Sequence, residues 1–196
     1  MMADFSYQDL IGAASTILAS ITLVLYIVSI FKGQSKPHIY TWMVWTILAS
    51  IGFAAQISDN AGSGAGAIGS IALLCALITM ISIKYGNKNH TNIDRAALLL
   101  SLLALLPWYI FQSAEWSVII ISIINVAGFF PTFRKSWSAP HEEKLIPFFL
   151  TSIAMFMSLF AMNELTITTS LYPFVIGISD AAFVFYTLWR RKVLIT

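Results

Sequence analysis

Charged side chains are scarce in this sequence: Asp, Glu, Lys and Arg make up 10% of its 196 residues, whereas 58% are hydrophobic. So few polar groups cannot cover a water-soluble globule of this size. The single cysteine, Cys75, excludes an intramolecular disulfide. The sequence therefore predicts an integral membrane protein, with the lipid bilayer as its main surroundings.

Long polar segments are also missing, so the chain offers no room for a second, soluble domain. A hydrocarbon core about 30 Å thick needs about 20 apolar residues per helix. The prediction is a single all-α membrane domain over residues 1–196, with seven transmembrane helices. They lie at about 9–31, 38–57, 67–84, 95–112, 116–134, 145–162 and 170–189.

Basic residues are absent from every second connection between these runs. All eleven Lys and Arg lie near the ends of the first, third, fifth and seventh runs or in the connections after them, on one side of the membrane. The charged residues on the other side are all acidic. The positive-inside rule therefore predicts an outside N-terminus and a cytoplasmic C-terminus. The expected location is a bacterial inner membrane, and no nucleic-acid partner is expected because the net charge of +2 reflects topology.

A short pattern, K-x-x-S-x-P-H, occurs twice, as KGQSKPH at 32–38 and as KSWSAPH at 135–141. Sliding 10–88 onto 113–191 keeps three predicted helices in register with three others. The chain is therefore predicted to hold two three-helix repeats, 9–88 and 113–192, joined by a spacer helix at 95–112. Because the spacer crosses the membrane once, the repeats point the same way, an arrangement found in some transporters.

With this layout, the sequence resembles the SWEET and PQ-loop superfamily of small-solute transporters. The segment GFFPTFRKSWSAPHEEKLIPFFLTSIAMFMSLFAM (128–162) is similar to a degenerate PQ-loop motif, in which Thr132 stands at the glutamine position. SDAAFVFYTLWRR (179–191) is similar to the last helix of lysosomal amino-acid exporters. The chain also resembles small bacterial membrane proteins without assigned function, through TWMVW, FFPTFRKSW and TTSLYP. The resemblance implies a 3+1+3 fold with an outside N-terminus.

Asp180 is the formal charge placed deepest in a predicted helix. An Asp at a helix centre costs about 3 kcal/mol on insertion scales, and a dry environment favours the neutral carboxyl. Asp180 is therefore a candidate for substrate binding and for proton coupling, or else a neutral group that holds two helices together. Asn125 lies at the same depth in the fifth predicted helix, with the same two interpretations.

The second predicted helix carries a stripe at helical spacing, formed by Trp42, Trp45, Ala49, Gly52 and Gln56. Two indoles on such a face can stack against a solute, so Trp42, Trp45 and Gln56 are candidate substrate-binding residues. Trp42 also fits the aromatic belt at the membrane surface. Pro131 is a candidate hinge, because a proline inside a helix frees a carbonyl and permits bending.

These residues favour a secondary transporter that moves a small polar solute, such as a sugar or an amino acid, by alternating access. The alternative is a non-transporting scaffold or sensor. An enzyme is not expected, since no nucleophile, base and orienting group share one depth. No cofactor is expected, and no metal site, because the three histidines lack ligand spacing. The sequence leaves the oligomeric state open, with a homo-oligomer among the alternatives.

Overall fold

The computed structural model describes residues 6–86, 92–111, 113–138, 140–142 and 145–195. These residues are helical apart from their connections, so the all-α prediction is confirmed for the part of the chain they cover. The described residues form eight α-helices: Tyr7–Phe31 (α1), Ile39–Ser58 (α2), Gly66–Tyr85 (α3), Asn92–Leu103 (α4), Leu106–Phe111 (α5), Ala114–Ser138 (α6), Leu145–Phe160 (α7) and Ile167–Ile195 (α8).

Four helices are long and apolar enough to cross a membrane. They are α1, α2, α3 with the 3₁₀ turn that precedes it (Gly62–Tyr85), and α8 (Ile167–Leu194). Each encloses its own backbone hydrogen bonds, which is what allows a peptide to sit in hydrocarbon. Two shorter apolar helices cover Ala114–Phe129 and Leu145–Phe160.

The fourth apolar run was predicted to form one helix over 95–112. The structure has two helices there, α4 and α5. The chain turns between them at Ala104 and Leu105, where the Leu105 N–H bonds the Leu102 carbonyl at 3.1 Å. Pro107 has no N–H to offer the Leu103 carbonyl, so the regular ladder cannot continue across this point.

The long helices pack in two groups with the same internal order. α3 packs against both α1 and α2, and α8 packs against both α6 and α7. Between the groups, α1 contacts α7, while α2 contacts α6 and α8. The first helix of each group therefore lies against the second helix of the other.

The two K-x-x-S-x-P-H turns have related roles in these groups. Pro37 and Pro140 are both fully buried, and the carbonyl of each lies beside the end of the third helix of its own group. A Cβ at Gly86, just after α3, would lie 2.8 Å from the Pro37 oxygen. Arg191, near the end of α8, donates from Nε to the Pro140 oxygen at 3.0 Å. Each turn thus anchors a helix end.

The two ends of the bundle differ in charge. We call the end at which α1 and α8 begin and α2 and α7 finish the nonbasic end, and the other the basic end. At the nonbasic end, Ser63 donates to the Gln8 oxygen at 3.0 Å and to the Ala161 oxygen at 3.2 Å. The Asn163 N–H bonds the Ala61 oxygen at 3.1 Å. The Ser63–Ala161 and Asn163–Ala61 bonds join the two groups of helices, whereas the Ser63–Gln8 bond lies within the first group.

At the basic end, Arg190 makes two contacts inside the second group. Arg190 donates from Nε to the Trp137 oxygen at 2.8 Å, and its guanidinium lies 4.0 Å from the centre of the Trp137 ring. Both residues belong to the second group. The bonds that Ser63 and Asn163 make between described residues of the two groups lie at the nonbasic end.

Candidate functional site at the α2–α8 seam

The line along which α2 faces α8 carries two polar contacts between the two groups, and we call it the seam. Thr166 donates its hydroxyl proton to the Asp59 carboxylate. One turn further along, Gln56 donates from Nε2 to the Thr169 oxygen at 2.9 Å. Beyond that, Gly52 lies so close to Tyr172 that a Cβ would be 2.5 Å from the Tyr172 Cδ1 atom. The seam is closed at the nonbasic end.

A proline explains why a side chain from α2 can bond the backbone of α8. Pro173 lies inside α8 and has no N–H, so the carbonyl four residues earlier, that of Thr169, lacks its helical donor. The Gln56 amide supplies that donor. The sequence prediction placed the start of this helix at 170 and therefore did not identify the role of Pro173. A proline in the seventh position of an apolar helix was the available signal.

The start of α8 is fixed by a reciprocal pair of threonines. The Thr166 N–H bonds the Thr169 hydroxyl at 2.9 Å, and the Thr169 N–H bonds the Thr166 hydroxyl at 3.2 Å. This is the logic of a capping box, which satisfies two donors at a helix start. The cap also holds the Thr166 hydroxyl where it reaches Asp59, so the seam is attached to a rigid helix start.

Trp45 lies further along the α2 face that carries Gln56, and Asp180 lies further along the α8 face that carries Thr169. Trp45 precedes Gln56 by 56 − 45 = 11 residues, and Asp180 follows Thr169 by 180 − 169 = 11 residues. Eleven residues make about three turns, or about 16 Å along a helix. Because α2 and α8 run in opposite directions, both residues lie at one depth, three turns nearer the basic end than the Gln56–Thr169 bond.

Asp180 is buried without a partner. It is 4% exposed and stands 13 residues after the start and 15 before the end of α8. Among the described residues, its carboxyl makes no hydrogen bond or ion pair. A buried polar group without a partner is costly in a protein interior. Its position thus agrees with the predicted depth, and its lack of partners distinguishes it from a group that ties helices together.

The predicted tryptophan pair has one buried and one exposed member. Trp42 is 6% exposed, packs against Tyr26 at 4.9 Å between ring centres, and belongs to a core with Ile30 and Cys75. Trp45 meets Trp42 edge to face at 5.1 Å and is 43% exposed. An aromatic face is therefore left uncovered at the depth of Asp180.

Asn125 lies slightly nearer the nonbasic end. Phe133 and Trp137 on α6 accept hydrogen bonds from Tyr186 and Arg190 on α8, and both pairs are 53 residues apart. With this register, Asn125 is level with residue 178, about half a turn from Asp180. Its Nδ2 atom is buried and has no hydrogen-bond partner, so a second polar group is unsatisfied at this depth.

The predicted site residues thus divide into two sets. Asp180, Asn125 and Trp45 share one depth, although no described hydrogen bond joins them, whereas Gln56 is 1% exposed and holds the closed part of the seam. Trp42 is part of a packed core. The backbone of α6 is helical through Pro131, whose side chain lies outside the described part of the structure.

Two other kinds of site are relevant, a groove between helices and a metal site. A shallow groove between α6 and α8 is lined almost entirely by apolar side chains, among them Ile123, Val126 and Leu171. No group of three or more His, Cys, Asp or Glu able to hold a metal occurs in the described ranges.

Comparison of the chain with family models, with curated proteins and with solved structures finds no match. What the protein does is therefore inferred from its own residues and their geometry.

Proposed function

We propose that this protein is a secondary transporter that carries a small polar solute, such as a sugar or an amino acid, by alternating access. In this proposal α4 and α5 together form one crossing, so that the chain has seven crossings in a 3+1+3 order. Its N-terminus lies outside and its basic end faces the cytoplasm of a bacterial cell. The two groups of helices are parallel repeats that rock against each other.

The packing order supports the repeat. The third helix lies between the first and second in each group, and the first helix of each group contacts the second of the other. Both relations are expected when two equivalent units are related by a two-fold axis along the membrane normal. The paired turns at Pro37 and Pro140 agree with the same correspondence.

The observation that carries the proposal is the unpartnered carboxyl of Asp180, level with the exposed ring of Trp45. A scaffold has no use for a buried acid that bonds nothing, because such a group lowers stability. A carrier has a use for such an acid, because the solute or a proton supplies its missing partner during the transport cycle. Asp180, Asn125 and Trp45 are the proposed solute contacts, and Asp180 is the proposed proton-coupling residue.

The closed part of the seam supports alternating access. Asp59, Gln56 and Gly52 hold the two groups together at the nonbasic end, so a solute would reach Asp180 from the basic end in this conformation. Opening the other way requires these contacts to separate. Gln56 therefore acts in this proposal as a gate residue, while Trp42 supports Trp45 from behind.

The test is solute exchange by purified protein in liposomes. Sugars, amino acids, nucleosides and vitamins are first screened for solutes that raise the melting temperature at two pH values. The selected solute should exchange across vesicles containing the wild type, and Asp180→Asn should abolish this exchange. Glu164→Gln, which removes an exposed acid, should leave it unchanged.

The rival function, a scaffold or sensor, predicts different results. In that case no solute exchanges in the wild-type vesicles, and Asp180 only affects folding. Exchange that survives Asp180→Asn with unchanged pH dependence would contradict the proton-coupling role.

A further inference from the structure

The ionic environment of Asp180 points to the charge of its ligand. The described elements packed against α8 are α2, α6, α7 and the 3₁₀ turn Pro140–Glu142, whose His141 and Glu142 lie at the basic end. Neither α2 nor α7 contains an Asp, Glu, His, Lys or Arg, and α6 carries such residues only near its ends, as Glu115, Arg134 and Lys135. By sequence position, these charged residues belong to the ends of the bundle and not to the depth of Asp180.

The same distribution disfavours an anionic ligand. All eleven Lys and Arg lie at helix ends or in connections, so a carboxylate or phosphate at mid-depth would meet Asp180 without any basic side chain. An anion would keep the Asp180 carboxyl protonated, since two negative groups in a dry site repel each other strongly. A neutral solute would offer this carboxyl only a hydrogen bond, whereas a cation would supply the counter-charge that lets the carboxyl release its proton.

The aromatic side of the site favours an organic cation. Trp45 is 43% exposed and rests against Trp42, which in turn packs on Tyr26. The face of an indole attracts ammonium groups within about 6 Å of its centre, more strongly than other aromatic rings do. A lone carboxyl and an uncovered indole at one depth are the two elements that recognise an alkylammonium group.

We infer that the Asp180–Trp45 level of the seam is a binding site for a small organic ammonium cation. Asp180 supplies the counter-charge, and Trp45 supplies the aromatic face. The unsatisfied Nδ2 of Asn125 adds a donor for a hydroxyl or carbonyl oxygen elsewhere on the ligand. This inference rests on the proposed transport function for its biological use, and on helical register for the shared level of Asp180 and Trp45.

The test compares pairs of molecules that have one shape and different charge. Choline is paired with 3,3-dimethylbutan-1-ol, and ethanolamine with ethylene glycol. Binding to the full-length protein in detergent is measured by melting temperature and by tryptophan fluorescence. At least one ammonium member should raise the melting temperature, while its neutral partner at the same concentration should not.

Variants locate the effect. Asp180→Asn and Trp45→Leu should each weaken ammonium binding by about tenfold or more, as expected for loss of a charge-assisted or cation–π contact. Glu164→Gln and Trp189→Leu remove an exposed acid and an exposed tryptophan elsewhere, and both should bind as the wild type does. A folded Asp180→Asn protein that binds ammonium normally would overturn the inference. So would neutral partners that bind as well as the cations.

Vesicle exchange separates this inference from the proposed function. Exchange of a neutral solute by a protein that binds no ammonium member would overturn the cation site and leave the carrier. Ammonium binding that depends on Asp180, in a protein that exchanges none of the solutes, would leave the site and overturn the carrier.

Discussion

At the scale of single residues, the molecule contains two buried polar side chains in opposite situations. Gln56 on α2 donates from Nε2 to the Thr169 oxygen, which Pro173 leaves without a helical donor, although its buried Oε1 atom has no partner among the described residues. Asp180, on the same face of α8 as Thr169, has no partner among the described residues. One group contributes to folding, whereas the other is held in place by the fold at a cost.

This difference predicts stability changes of opposite sign. Gln56→Leu should lower the free energy of unfolding by about 1–2 kcal/mol, because the Thr169 carbonyl loses its donor inside the protein. Asp180→Leu should leave that free energy unchanged or raise it, because a polar group without a partner is replaced by an apolar one. Thermal denaturation of the two purified variants measures both effects. If Asp180→Leu unfolds more easily than Gln56→Leu, Asp180 serves packing.

At the scale of helices, hydropathy predicted the positions of most elements well. The runs at 38–57 and 67–84 match α2 and α3 to within about a residue at each end, since a membrane helix must satisfy its backbone internally and so begins and ends with its apolar run. The break between α4 and α5 and the start of α8 at Ile167 were not predicted. Both depend on single residues, Pro107 and the Thr166–Thr169 pair, whose effect does not change hydropathy.

The candidate site could be predicted only in part from the sequence, because it also depends on contacts between particular residues. Periodicity placed Trp45 and Gln56 on one face of α2 and identified the depth of Asp180. It did not show that Gln56 would bond across to the Thr169 carbonyl, because that contact depends on which helices become neighbours. Nor did it separate Trp42 from Trp45, whose difference in exposure is set by Tyr26 on α1.

The contact between α2 and α8 predicts a measurable coupling. Pro173→Ala restores an N–H that can bond the Thr169 carbonyl within α8, so the Gln56 amide then competes for an acceptor that is already satisfied. Gln56→Leu should therefore cost about 1 kcal/mol less in the Pro173→Ala background than in the wild type. A double-mutant cycle by thermal or denaturant unfolding tests this. Additive effects would mean that Pro173 does not control the bond.

At the scale of the whole molecule, the two groups of helices share an internal order and are joined at one end. They are connected there by the bonds of Ser63 and Asn163 and by the Asp59–Thr166 contact of the seam. At the opposite end, Arg190 and Arg191 donate to backbone oxygens of their own group. In the proposed transport cycle, the bonds between the groups hold the nonbasic side closed.

The proposed orientation predicts a labelling pattern. Single cysteines replace Glu164 at the nonbasic end and Lys192 at the basic end, both exposed, in a chain whose native Cys75 is changed to Ser. An impermeant maleimide added to intact cells should label the cysteine at 164, and should label that at 192 only after permeabilisation. The reverse pattern would invert the topology.

The most direct test of alternating access is solute exchange in vesicles when a disulfide links the two sides of the seam. Cysteines at positions 59 and 166 join the two groups, whereas cysteines at 46 and 79, whose threonine hydroxyl oxygens lie 3.2 Å apart within one group, serve as the control. If the groups must separate at the nonbasic end, oxidation of the first pair stops exchange, reduction restores it, and the control pair exchanges throughout. Exchange at the wild-type rate by fully cross-linked 59–166 protein would contradict alternating access at this seam.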